Sequence, residues 1–307
     1  MKKGNSNTEG LIILAVLIVI IIFITAKGGS QSAIDTSPGS FSNTTNISTG
    51  STATPSSTYA KDISISTGNA AYSYQSYEEY VTIYNRGRDP VDITGWQVRN
   101  AKNKRAYAFG GELRYFPRDS AIIPRAALFV APSSTSILQN VILETGDTAV
   151  ITTGSIASQS PYKIVSFKEN ICSGYLGNMD EYSFTPSLSM TCPRPADEIG
   201  VEGLDTECRN FIKRMPSCRT PEFDTRDRDG NICRNCVDGK PLSSPCVTFI
   251  KNHFNYGSCI AYHRNDQNFS GKTWRIFLGQ GWEMWAKDYE TISLFDQLGR
   301  LVVERSY

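Results

Sequence analysis

Glu79-Tyr80-Val81-Thr82-Ile83-Tyr84-Asn85, Asp92-Ile93-Thr94-Gly95-Trp96 and Gly146-Asp147-Thr148-Ala149-Val150-Ile151 are the three stretches that decide the fold. Each is a short run rich in β-branched and aromatic residues, with apolar and polar positions alternating and Asn, Asp or Gly at an end. That is the pattern of a strand with one face on a core. Residues 127–131 and 164–167 continue the series, and turn signals fall at residues 85–90, at Pro124 and at Gly146-Asp147. No helix-length amphipathic pattern separates these runs, which predicts an antiparallel sandwich rather than a parallel α/β sheet. Gly95 permits a bend before Trp96, whose indole is large enough to plug a sandwich core. Three further strands are predicted at residues 274–278, 291–295 and 301–303, with a turn at 296–299.

The elements EYVTIYN, DITGW and GDTAVI, in that order within residues 61–170, resemble the lamin-tail domain, an immunoglobulin-like β-sandwich. The ending TISLFDQLGRLVVERSY, from Thr291 to Tyr307, is similar to the usual end of that domain. The resemblance implies a mainly β fold in which residues 61–170 form the first part of the sandwich. Residues 271–307 then complete it, and residues 171–270 are a cysteine-rich, partly helical insertion. The other arrangement is a complete first sandwich followed by a separate cysteine-stapled domain. Lamin tails carry basic loops, and family members have been linked to nucleic acid and to surface proteins. Between residues 86 and 125 nine basic side chains face four acidic ones. Arg99, Lys102, Lys104 and Arg105 are the candidates for an anionic partner, against the alternative of ordinary solvated loop charge.

All eight cysteines fall between residues 172 and 259, at Cys172, Cys192, Cys208, Cys218, Cys233, Cys236, Cys246 and Cys259. An even number in a short segment implies disulfides. A pseudo-repeat is visible: Cys208-Arg-Asn-Phe-Ile-Lys ending at Cys218 parallels Cys246-Val-Thr-Phe-Ile-Lys ending at Cys259, each resembling a short helix and a return turn. If each unit closes on itself, the pairs are Cys208 with Cys218, Cys246 with Cys259, and Cys172 with Cys192. Cys233-Arg-Asn-Cys236 remains, readable as a structural bridge, a redox pair or half a zinc site. Neither a thioredoxin-like βαβ unit nor a second C-x-x-C accompanies it. Residues 224–231 alternate carboxylates before a glycine, as calcium loops do, but Arg226 and Arg228 oppose a cation. His253 and His263, the two histidines of the chain, lack a nucleophile partner in sequence. Trp274, Trp282 and Trp285 are expected to cover the join to the last strands. An aromatic groove for carbohydrate is the other reading of Trp282 and Trp285.

Outward from this head, residues 28–60 are dominated by Ser, Thr, Gly, Asn and Pro, and are expected to form a disordered stalk. Asn43, Asn46 and Asn268 begin glycosylation sequons. Residues 11–24 are an unbroken apolar run preceded by Lys2 and Lys3, which predicts one transmembrane helix within residues 1–27 and an extracytoplasmic head. Before that run, Gly4, Asn5 and Glu9 resemble the class III signal of type IV pilin-like proteins, archaeal ones especially. The resemblance implies cleavage after Gly4, Asn5 as the new N-terminus, and Glu9 pairing with a neighbouring subunit. A plain signal anchor is the alternative.

The chain of 307 residues has a formal net charge of +1, which removes any whole-molecule attraction to nucleic acid or anionic membrane. No phosphate loop, zinc-protease signature or nucleophile elbow is present. The expectation is a non-enzymatic cell-surface binding or adhesion protein in the cell membrane, needing no cofactor and no metal. Its partners would be a protein or glycan on the cell surface, or filament subunits. Capture of DNA or another anionic polymer, and redox chemistry at Cys233 and Cys236, are the alternatives.

Overall fold

The computed structural model describes residues 55–101, 106–115, 120–133, 135–156, 160–224 and 226–307. The apolar run 11–24, the pilin-like signal at Gly4, Asn5 and Glu9, and the sequons at Asn43 and Asn46 lie outside the described residues. Among the described residues no helix is long and apolar enough to cross a membrane.

Among the described residues, twelve strands precede the cysteines: β1 Ile63–Ser66, β2 Tyr80–Asn85, β3 Val91–Asp92, β4 Gln97–Arg99, β5 Ala106–Phe109, β6 Glu112–Tyr115, β7 Ser120–Ile122, β8 Ala126–Ala127, β9 Leu138–Gln139, β10 Ile142–Leu143, β11 Thr148–Thr152 and β12 Phe167–Asn170. The cysteine-rich segment holds helices α1 Ser173–Gly177, α2 Thr206–Ile212, α3 Ser244–His253 and α4 Tyr256–His263, with a small hairpin of β13 Cys236–Val237 and β14 Lys240–Pro241. Strands β15 Ser270–Phe277, β16 Thr291–Phe295 and β17 Leu301–Ser306 end the chain.

Two sheets face each other, one ordered β1-β2-β11-β15-β12-β8-β9 and the other β17-β16-β4-β7. Alternation sends Val81 and Ile83 of β2, Ala149 and Ile151 of β11, and Trp274 and Ile276 of β15 into the space between them. There they meet Val98, Ile292, Leu294 and Val302 from the second sheet. Trp96 is buried at the centre of this core, its ring 5.3 Å from that of Tyr59. Gly95 takes φ +77°, which lets the chain turn inward at that point.

The first and third deciding stretches are tied to each other at their ends, and the second to residues 140–141. The Asn85 backbone N–H donates to the Asp147 carbonyl, the Gly146 N–H donates back to the Asn85 carbonyl, and the Asn85 side chain donates to the Leu143 carbonyl at 2.8 Å. Thr94 Oγ1 accepts from the Val141 N–H, while Asp92 accepts from the Thr94 N–H and the Asn140 side chain. The polar residues of these motifs therefore close loops, and their apolar residues fill the core.

The structure departs from the sequence expectations at several places. The sheet is not wholly antiparallel, because β15 runs parallel to β11 and β12 runs parallel to β8. β15 returns after a long crossover through the cysteine-rich segment and inserts between β11 and β12, a placement that makes one of its two neighbours parallel. The stretch 92–96 is mostly the turn between β3 and β4 and not one strand, and the strands expected at 127–131 and 164–167 are displaced to β8 and β12. Residues 55–60, expected to belong to the disordered stalk, are ordered against the sandwich. Ser57 caps a 3₁₀ turn at Thr58–Lys61, its hydroxyl donates to buried Asp296 at 2.8 Å, and the Leu301 N–H donates to the Pro55 carbonyl.

All eight cysteines are bridged, but the pairing differs from the expected one at three of four bonds: Cys172 joins Cys259, Cys192 joins Cys218, and Cys208 joins Cys246, while Cys233 joins Cys236 as expected. The reason lies in the cores. Cys208 and Cys246 occupy matching positions on α2 and α3 and share one apolar cluster with Ile212, Val247 and Ile250. The repeat units thus face each other instead of closing on themselves. Cys218 and Cys259 belong to another cluster, built on Phe167 of β12 with Tyr175, Leu176 and Tyr256. Cys259 lies on α4, where a return turn had been expected.

Candidate functional site

Four loops meet at one end of the sandwich: residues 67–79 after β1, 153–156 after β11, 278–290 after β15, and 100–101 after β4. Main-chain bonds run from loop to loop. The Gly154 N–H donates to the Ser76 carbonyl at 2.6 Å, the Gly279 N–H to Gly154 at 3.3 Å, and the Gln280 N–H to Thr153 at 2.8 Å. A Cβ at residue 154 would come within 2.7 Å of the Tyr77 backbone nitrogen, so only glycine allows this approach.

Two buried carboxylates pin loop 278–290. Glu79 accepts from the Met284 N–H at 2.8 Å and the Trp285 N–H at 3.3 Å. Glu290 accepts from the Ala286, Thr291 and Ala101 N–H groups at 2.8 to 2.9 Å. Asn100 donates to the Met284 carbonyl, and the Tyr307 hydroxyl donates to that of Ala286. Burial is the main influence on Glu79 and outweighs those amide donors, while Glu283 adds like charge. Its carboxyl is pushed up to about 7.

On this braced frame the loops present aromatic rings to water. Tyr72 is 79% exposed and Tyr74 71%; Tyr77 and Tyr289 are also exposed. Lys287 sits with its Nζ 3.1 Å from the centre of the Tyr74 ring, joining loop 278–290 to loop 67–79. Loop 67–79 is itself fixed by Asn69, which donates to the Glu78 carbonyl and accepts from the Tyr80 N–H. Trp282 lines an adjoining cleft of about 480 Å³ with Gly279, Gln280, Gly281 and Glu283. Trp285 and Trp274 are buried in the sandwich core, so the groove reading fails for Trp285 and survives for Trp282. The tyrosines were missed in sequence; the available signal was three tyrosines at 72, 74 and 77 within an otherwise polar turn.

The other candidates lie elsewhere. Arg99 is engaged on the outer face of β4, donating to Gln97 at 2.7 Å and covering the Phe295 ring at 4.0 Å. Lys102, Lys104 and Arg105 fall outside the described residues. Asn268 is exposed on the turn before β15. Asp227 accepts from the Asp229 and Asn231 N–H groups, and the Gly239 N–H donates to Asp224, so these carboxylates close turns. Among the described residues no group of three His, Cys, Asp or Glu is placed to hold a metal. His253 is stacked between Phe249 and Tyr262, at 3.8 and 4.7 Å. His263 bridges Asp266 at 2.8 Å and Glu198 at 3.0 Å. Burial works against its protonated form, but the two carboxylates prevail and raise its pKa.

The two-sheet sandwich thus gathers exposed tyrosines on the loops of one pole. Residues 56–183 match the model of the Lamin Tail Domain family. The match ends inside the cysteine-rich segment, so β15, β16 and β17 lie beyond it although they run in the same two sheets. No curated protein and no solved structure matches the chain.

Proposed function

We propose that this chain is a surface-display protein, held to the membrane by residues 11–24 and binding a protein or glycan through the tyrosine-bearing end of its head. The observation that carries the reading is polarity along the sandwich. The described chain enters at Pro55, beside Leu301 and Asp296, where β16 ends and β17 begins. The tyrosine loops lie at the opposite pole, where Glu290 and Tyr307 pair and β16 starts. The tyrosine loops thus lie at the end of the sandwich farthest from Pro55. Four disulfides suit an oxidising compartment. Loops already locked by hydrogen bonds lose little freedom on binding, and tyrosine supplies contact area at low entropic cost.

The test is co-sedimentation of the full chain, purified in zwitterionic detergent, with cells of its host. Replacing Tyr72, Tyr74 and Tyr77 together by alanine should cut binding at least tenfold. Thermal unfolding should be nearly unchanged, since exposed substitutions shift stability by about 0.5 kcal/mol or less. Equal binding by the variant and the parent would overturn the assignment of this face. Protease added to intact cells should remove the head, and a protected head would overturn the display role.

A further inference from the structure

We propose that Cys233–Cys236 is an exchange-active bridge that accepts electrons from a cysteine pair in an extended peptide with apolar and acidic residues beside its thiols. The other three bridges join segments 87, 26 and 38 residues apart, and their six cysteines are all buried. This one spans three residues, closes the smallest loop, and stands outside the apolar clusters that hold the others. A bridge over so short a loop removes the least chain entropy, so it contributes least to the folded state and opens at the lowest cost.

The hairpin that carries it is held by other means. Arg219 forms a two-pronged pair with Asp238 at 3.0 and 3.1 Å, the Glu222 N–H donates to the same carboxylate, and β13 pairs with β14. Opening the bond therefore leaves a frame on which it can re-form. Cys233 is half-buried, whereas Cys236 is buried behind it. Both line a cleft of about 350 Å³, with Phe223, Ile232 and Val247 as apolar walls and Arg234 and Lys251 as cations; Asp224 is the one acid. Its carboxylate is taken up by the Gly239 N–H. Lys251 Nζ lies 4.8 Å from the centre of the Phe223 ring, and cations that share a cleft with the sulfurs favour thiolate over thiol.

In the exchange a substrate thiolate attacks Cys233 Sγ, the Cys233–Cys236 bond breaks, and its electron pair leaves on Cys236 Sγ as thiolate. The second substrate thiolate then attacks the sulfur joined to Cys233, forming the substrate disulfide and releasing Cys233 as thiolate. Two electrons pass to the protein, and a second, more oxidising disulfide restores the bridge by the reverse steps.

The full chain is equilibrated in glutathione buffers of graded poise, quenched in acid, alkylated and mapped by mass spectrometry. Cys233 and Cys236 should open at a ratio of reduced to oxidised glutathione at least tenfold lower than the other six cysteines. All four bridges opening together would overturn the proposal, and that titration needs no variant. As the probe of exchange, a reduced Cys-x-x-Cys peptide with Leu and Glu flanks should be oxidised at least tenfold faster than its Lys-flanked counterpart. Arg234→Ala with Lys251→Ala should erase that preference. Oxidation no faster than by the same concentration of oxidised glutathione would overturn the activity.

Discussion

The sandwich and the segment between β12 and β15 reach a fixed structure by different routes. The sandwich strands contain no cysteine and are held by ladders and by one continuous apolar core around Trp96. The inserted segment has four short helices and one small hairpin, and its apolar residues are split between two clusters, each crossed by disulfides. Sequence that cannot gather one large core relies on covalent closure to restrict its unfolded state.

Removing a long bridge should separate the two regions most sharply. Cys172→Ser with Cys259→Ser frees a closure of 87 residues and should cost about 4.5 kcal/mol on the chain-entropy scale. Hydrogen exchange should accelerate in α1 and α4 while Val81, Ile83 and Ile151 stay protected; uniform acceleration would erase the distinction. Next comes Trp96→Ala, at about 4 kcal/mol from lost burial and the cavity left behind. Denaturant unfolding should show the loss, with protection falling first in β2, β4 and β16. A loss below about 1 kcal/mol would remove Trp96 from the centre of the core.

The smallest effect depends on pH. Glu79 binds its proton more tightly folded than unfolded, so the folded state is favoured below its unfolded pKa of 4.5 and loses that advantage as pH rises to about 7. Glu79→Gln should flatten the fall in melting temperature across that window, worth roughly 3 kcal/mol. His263 contributes in the same sense, losing stabilisation only as pH rises above 6.5. An unchanged slope in the Gln variant would mean that the carboxyl does not brace loop 278–290.

These contrasts also explain what could be read in advance. EYVTIYN and GDTAVI were legible because their alternation is imposed by a local pleat, and Asn85 closes the adjoining turn by accepting from the Gly87 N–H and donating to the Asp89 carbonyl. The β11 to β15 neighbourhood was not, since an apolar strand looks the same whether its partner runs parallel or antiparallel. The bridges were misread for a related reason: the pseudo-repeat at Cys208 and Cys246 records two similar helices, but only the way those helices pack decides which sulfurs meet. At the candidate site the same division holds. Trp282 and Trp285 are three residues apart and alike in sequence, yet the amide bonds to Glu79 draw one inward while the other lines a cleft.

The entry of the chain beside β17 has a mechanical consequence. A load applied between Pro55 and loop 278–290 acts along β16 and β17 and not across them, because these strands run from one pole to the other. Ladder bonds lying perpendicular to such a pull are strained in parallel and must yield together, as in shear, whereas a pull from the side would unzip them singly. The hook from Ser57 to Asp296 and the bond from Leu301 to Pro55 would bear that tension first.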